Sequence, residues 1–274
     1  MGIDMNYQLK CDSPLSEQIK GIAQEKVLAA TEYLRRDGNE IAVHGLRKRC
    51  KKVRALLRLV DTEMSDVFQY ENSHYRALSQ TLARSRDLTA LRIALLDLAP
   101  PHYFHRLHNL LNELIQAEQN HAAVTAALRL LDEGQKRIPS WPLDHVSWKN
   151  TEAGYQRGYQ KAVNAWRKVQ KHKNANRLHL LRKRAKDHWY QSRLLRKRYP
   201  ITIGSRCESL KQLGQALGDW RDLHLLARMV VIQQDRLQSE FSRVLEIIRH
   251  RQVLLLKKIE EFCKKLFSRQ HFNF

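Results

Sequence analysis

His44-Gly45-Leu46-Arg47-Lys48-Arg49-Cys50-Lys51 returns further along the chain as His179-Leu180-Leu181-Arg182-Lys183-Arg184-Ala185-Lys186. The same spacing carries Arg86-Asp87-Leu88 to Arg221-Asp222-Leu223 and pairs Arg58 with Arg193, Leu59 with Leu194, Leu78 with Leu213, Leu82 with Leu217 and Leu91 with Leu226. Two separated blocks in one register point to an ancient duplication, and so to two similar halves related by a pseudo-two-fold axis. Both copies keep a histidine followed by arginines and lysines. That is the chemistry of an anionic ligand.

Helical geometry shows how those side chains are arrayed. With His44 at zero, Lys48 falls at ~+40°, Lys51 at ~−20°, Arg58 at ~−40°, Arg47 at ~−60° and Arg54 at ~−80°. Leu46, Cys50, Val53, Leu56, Leu57 and Val60 take the opposite side. With His179 at zero, the second copy places Lys183 at ~+40°, Lys186 at ~−20°, Arg193 at ~−40°, Arg182 at ~−60° and Lys197 at ~0°. Trp189 and Tyr190 are interleaved with these charges, and His188 falls on the far, apolar side. From His44 to Arg58 the cationic strip is about 21 Å long. Like charges at i, i+4 repel, yet no acid separates Glu40 from Asp61. One such run is usually a solvated face; the same arc twice, in register, favours a ligand that relieves the repulsion.

Outward from these blocks, periodicity predicts helices almost throughout. A first helix opens after Ser13-Pro14 and runs to Arg36, and a second follows the turn Asp37-Gly38-Asn39, capped by Asn39 and reaching Asp61. A third long helix covers Asp66 to Leu98, where Pro100-Pro101 stops it. Shorter helices are predicted over His102–Gln119 and His121–Gln135. The stretch Arg137 to Ser147, with Pro139, Trp141 and Pro142, is the crossing between halves 1–138 and 139–274. Helices are then predicted over Asn150–His172, Asn176–Tyr199, Ser205–Ile232 and Asp235–Arg269. Alternating strand patterns are absent, so the fold class is all-α: two antiparallel four-helix bundles related by the duplication.

Composition narrows the function. Forty-nine Lys+Arg against 28 Asp+Glu give a net charge of +21, which favours association with nucleic acid, polyphosphate or an acidic surface. No run approaches the length of a membrane span. The four scattered cysteines, with no Cys-x-x-Cys, read as a reducing cytoplasm without structural zinc.

The pattern His-x-x-Arg-x-x-x-Lys/Arg on a helix, present twice and each time followed by a Leu-rich helix ending Arg-Asp-Leu, resembles the conserved histidine α-helical domain, CHAD. The carriers are Val43-His44 through Arg58 with Ser85-Arg86-Asp87-Leu88, then Leu178-His179 through Arg193 with Asp219-Trp220-Arg221-Asp222-Leu223. The resemblance covers nearly the whole chain and implies one CHAD domain, a stand-alone member, made of both halves around a basic groove or cavity. It also implies non-catalytic binding of inorganic polyphosphate, a cytoplasmic place at polyphosphate granules, and polyphosphate-metabolising proteins as partners. By position, the polyphosphate-contacting residues implied are His44, Arg47, Lys48, Lys51, Arg54 and Arg58, with His179, Arg182, Lys183, Lys186 and Arg193; Lys197 continues the second face. Asp87 and Asp222 read as structural support, each orienting an arginine or histidine of a basic helix. Asp187 and Trp189 depart from the pattern, standing where relatives usually carry more basic residues.

Other chemistries find fewer candidates. His102, His105 and His108 form an i, i+3, i+6 series, but no carboxylate or cysteine lies at ligand spacing, so they read as surface or half-buried histidines and no metal is assigned. A metal bridging His44 and His179 is opposed by the cationic surroundings. There is no Walker-type loop and no Glu-x-Glu, and Asp61, Glu63 and Asp66, the closest acids, read as a helix end and turn. A metal-dependent phosphohydrolase is therefore the lesser alternative; the chain is expected to be no enzyme and to need no cofactor. Nucleic acid, RNA above all, is the main rival polyanion. It would require exposed rings such as Trp189 or Tyr190 for base stacking.

Overall fold

The computed structural model describes residues 7–36, 40–118 and 121–274, with backbone alone at residues 40, 66, 84–86 and 121. Among these residues there is no strand. The helices are α1 (Leu15–Arg36), α2 (Glu40–Leu57), α3 (Asp61–Thr81), α4 (Ala83–Leu98), α5 (His105–Gln116), α6 (His121–Arg137), α7 (Trp148–Lys171), α8 (Ala175–Leu195), α9 (Gly204–Ile232), α10 (Gln234–Leu237) and α11 (Glu240–Leu266). Short 3-10 turns at Pro101–Tyr103 and Ile138–Ser140 use their prolines at the first positions. The turn expected at residues 37–39, with its Asn39 cap, lies outside the described residues.

Two predicted helices are broken. The helix expected over Asp66–Leu98 starts earlier, at Asp61, kinks at Ser65 (φ 38°) and divides at Leu82 (φ −114°, ψ 30°). At that division side chains take over helix carbonyls: Thr81 Oγ1 donates to the Leu78 carbonyl at 2.8 Å, and the Arg47 guanidinium donates to the Ser79 carbonyl. The last predicted helix divides at Gln238, whose φ of 47° is left-handed. Neither Leu82 nor Gln238 is a proline or glycine, so local sequence carries no mark of either break.

Two of the helix bounds keep the spacing of the two sequence blocks. Arg36, the end of α1, corresponds to Lys171, the end of α7, and Glu40, the start of α2, corresponds to Ala175, the start of α8. In the first half α2 packs on α1 and α3, and α6 closes the ring against both of these. In the second, α7, α8, α9 and α11 pack in succession. The halves meet where α2 lies on α8 and α4 on α9.

The apolar cores are exchanged across that seam. Leu91, Leu95, Phe104, Leu107, Leu110 and Leu111, all from α4, α5 and the turn between them, pack with Tyr159, Trp166, Leu181, Leu217 and Ile248. Conversely, Tyr190, Leu194 and Leu195 from the end of α8 pack with Tyr7, Leu46, Val53 and Leu57. Backbones also approach closely. A Cβ on Gly154 would collide with the Leu59 carbonyl oxygen, so only glycine lets α7 pass the end of α2 there. Beside it, the Arg157 guanidinium pairs with Asp61, and Asn150 Nδ2 donates to Glu63 Oε1 at 2.6 Å. Two members of the acidic cluster thus serve packing; the Asp66 side chain is outside the described set.

Candidate anion-binding surface

The angular map holds for α2. Leu46, Cys50, Val53, Leu56, Leu57 and Val60 are buried, whereas His44 is exposed and Arg47, Lys48, Lys51, Arg54 and Arg58 are half-buried. On α8, Leu181, Ala185, Leu195 and His188 are buried; His179, Arg182, Lys186 and Arg193 are half-buried and Lys183 is exposed. Lys197 does not extend the helical face, because α8 ends at Leu195 and leaves it exposed in the following turn. His188 sits between the rings of Tyr155 and Tyr159, at 4.4 and 5.7 Å, and burial pushes it well below the usual imidazole range.

Because α2 lies against α8, the two arcs converge, and burial first and like charge second act against the charged forms of individual groups. Burial lowers the Lys186 ammonium to about 8, helped by Arg182 and Lys48 and opposed by Asp219. Burial also lowers Lys183, with help from Arg76 and Arg54. Arg54 falls to about 10, by burial first and Arg58 second, with Asp187 acting the other way. His179 is lowered by burial and then by Lys183, Arg221 and Arg182, so the ligand-free site disfavours its protonation.

Neutral and acidic groups hold the arcs in place. Asn72 Oδ1 accepts from Arg54 Nε at 3.1 Å and from Arg58 Nη2 at 3.0 Å. Asp187 accepts from Arg58 Nη1 at 3.1 Å, an ion pair that ties the turn at the end of α2 to α8. The departure noted in the sequence is thus the clamp between the basic helices. Trp189, the other departure, separates cations on α8: Lys186 Nζ stands 4.5 Å from its ring centroid and Arg193 Cζ 5.4 Å. Arg193 also lies 5.5 Å from the ring of buried Tyr7. Lys186 rests in a notch on α9, where a Cβ on Gly214 would come within 3.0 Å of its Cε.

The motif carboxylates meet at an arginine of their own motif. Asp87 and Asp222 both engage Arg221, at 3.3 and 2.9 Å, and Asp87 also favours the charged form of His179 on α8. The arginine of the second Arg-Asp-Leu triplet is therefore gripped by the aspartates of both triplets, because α4 packs on α9. The side chain of Arg86, its counterpart, lies outside the described residues.

Sequence reading missed Arg76 on α3, which bears on both Arg54 and Lys183. A signal existed: Lys211 stands opposite it in the register of the two blocks. Asn72, Ser79 and Gly214 carried no such mark. Of the rings that base stacking would need, Tyr190 is 3% exposed and Trp189 is half-buried among cations. Among the described residues no group of three or more histidine, cysteine or acidic side chains is placed to hold a metal ion, and no helix is long and apolar enough to cross a membrane.

Comparison with known proteins adds to this geometry. The family model described as CHAD domain matches residues 22–231. The fold is similar to the crystal structure of the CHAD domain from the plant Ricinus communis, with a TM-score of 0.69 and 20% sequence identity over 96% of each chain. No curated protein matches in sequence.

Proposed function

We propose, for a chain that belongs to the CHAD-domain family, that the paired basic helices α2 and α8 bind inorganic polyphosphate without catalysing a reaction on it. One observation carries this reading: two cationic arcs converge on one surface whose aromatic rings are buried or occupied by cations. A polyphosphate chain offers charged oxygens and no bases, so it needs arginine forks and lysine point charges but no stacking platform. A nucleic acid bound here would gain phosphate contacts only.

Arg47, Lys48, Lys51 and Arg54, with His44, are the contacts from α2, and Arg58 is the contact from the turn just after it; His179, Arg182, Lys183, Lys186 and Arg193 are those from α8. Lys197 serves as an outlying contact from the turn, and Asp87 and Asp222 act indirectly by positioning Arg221. The absence of catalysis is consistent with nearby carboxylates being engaged: Asp187 holds Arg58, and Asp87 and Asp222 hold Arg221. A place at polyphosphate granules in the cytoplasm, beside polyphosphate-metabolising proteins, follows from such binding. Descent of the halves from one duplicated unit accounts for its paired arcs.

The test is a competition titration with labelled long-chain polyphosphate. Heparin, single-stranded RNA and duplex DNA compete at matched charge and at two salt concentrations. Polyphosphate is expected to outcompete the others and to remain bound at the higher salt. Equal competition by all four, with binding lost at high salt, would overturn the assignment in favour of generic polyanion binding.

A further inference from the structure

Among the described residues His74, His108 and His188 are buried. His74 Nε2 meets the Leu130 carbonyl at 2.8 Å, and His108 lacks a partner at Nε2. His188, on α8, is 0% exposed and has no hydrogen-bond partner at either ring nitrogen. A buried imidazole with both nitrogens unsatisfied is uncommon. Its neighbours are the rings of Tyr155 and Tyr159 on α7.

The same two tyrosines carry the segment that follows α11. Phe272 lies 5.0 Å from the Tyr155 ring and 5.8 Å from that of Tyr159, Phe274 lies 5.5 Å from Tyr155, and Phe267 lies 6.1 Å from Tyr159. Hydrogen bonds pin the segment to α7. Tyr159 Oη donates to the Arg269 carbonyl at 2.7 Å, Gln160 Nε2 donates to the Gln270 carbonyl, and the Phe272 N–H donates to Gln156 Oε1 at 3.1 Å. Gln156 Nε2 also donates to His271 Nδ1 at 3.2 Å. From α9, Arg206 Nη2 donates to the Leu266 carbonyl at 2.9 Å, and its Cζ stands 5.0 Å from the Phe272 ring centroid. Residues 267–274 thus rest on the tyrosines, and the tyrosines rest on His188.

A proton on His188 in this arrangement would be a buried cation with nothing to accept from it. Burial and then Arg206 act against that charge, and Gln191, itself without a donor at Oε1, acts for it. The other titratable groups around the histidine and its tyrosines are Cys207 of α9, Arg167 of α7, and Arg269 and His271 of the overlying segment. Glu152 of α7 is engaged by the Tyr199 hydroxyl.

We propose that residues 267–274 are an acid-released strap: His188 takes up a proton only when the strap lifts from Tyr155 and Tyr159, so acidification opens it. The closed strap excludes the proton, whereas in the open form the imidazole titrates in its ordinary range. The closed form is therefore fully stable above that range and loses stability as pH falls through it. The inference does not use the polyphosphate reading and stands or falls separately.

Hydrogen exchange of the 267–274 amides, corrected for the intrinsic effect of pH on exchange, tests this in the full chain. Protection should fall about twentyfold between pH 7 and pH 5, while the amides of α7 and α8 stay protected. H188F keeps a ring but cannot titrate, so its strap should hold equally at both pH values; H271Q should respond as the wild type does. A second measurement is independent of how H188F folds. In F272A the strap is loosened, and the NMR titration of the His188 imidazole should move up towards the ordinary range. Strap protection that ignores pH, a response that survives in H188F or vanishes in H271Q, loss of α7 and α8 protection in step with the strap, or an unmoved His188 titration in F272A would each overturn the proposal.

Discussion

At the scale of the residue, Lys186 sets the pH behaviour of the surface. In the free protein it loses its proton as pH rises through about 8, under burial and then the charges of Arg182 and Lys48, with Asp219 resisting. A bound anion favours the ammonium and raises that value. Below about pH 8 the group is charged in both states, so affinity does not depend on it; above, binding must take up a proton and affinity falls. Calorimetry at a pH just above that value, in buffers of different ionisation enthalpy, should detect proton uptake in the wild type and little in K186M. His179 works likewise at lower pH: its depressed value makes affinity rise as pH falls below neutrality. Asp187 supplies a second prediction. D187N removes the charged partner of Arg58, whose side chain is 14% exposed and keeps only the Asn72 carboxamide of its two described side-chain acceptors, and should lower stability by about 1–3 kcal/mol. The same change deletes an anion from the cationic surface, so polyphosphate binding should tighten while the melting temperature falls. Loss of both together would show that Asp187 positions the arcs more than it repels the ligand.

At the scale of the element, periodicity made most helices legible, since each buries one stripe of apolar side chains. The interruptions were hidden because tertiary contacts make them: Arg47 reaches 32 residues along the chain to the Ser79 carbonyl beside the break at Leu82. Close approaches were hidden for the same reason. Gly154 reads as an indifferent residue in a helix, yet G154A would force a Cβ against the Leu59 carbonyl and should cost about 3 kcal/mol, measurable by denaturant unfolding. G214A makes a finer test. Its Cβ meets the flexible end of Lys186, so the fold should survive while Lys186 shifts and polyphosphate affinity drops.

At the scale of the whole molecule, the register of the two blocks announced both basic arcs, but not which carboxylate would hold which arginine. That depended on α4 packing against α9, and no spacing in the chain encodes such a contact. The exchanged cores give the molecule one cooperative unit: calorimetry should show a single unfolding transition, and residues 1–138 expressed alone should lack cooperative unfolding, because the apolar face of α4 and α5 would be bare. Reversing one charge on each arc, in R47E/R182E, should weaken polyphosphate at least about a hundredfold. It should also flatten the dependence of affinity on salt, with helicity by circular dichroism unchanged.

Trp189 has a practical consequence. An indole held 4.5 Å from an ammonium and 5.4 Å from a guanidinium is a chromophore in a strong local field, and its emission reports where those charges stand. A phosphate chain that draws Lys186 and Arg193 off the ring changes that field. Binding would then be readable from the colour of the protein's own fluorescence, without a dye, and W189F would leave the molecule bound but dark to the event.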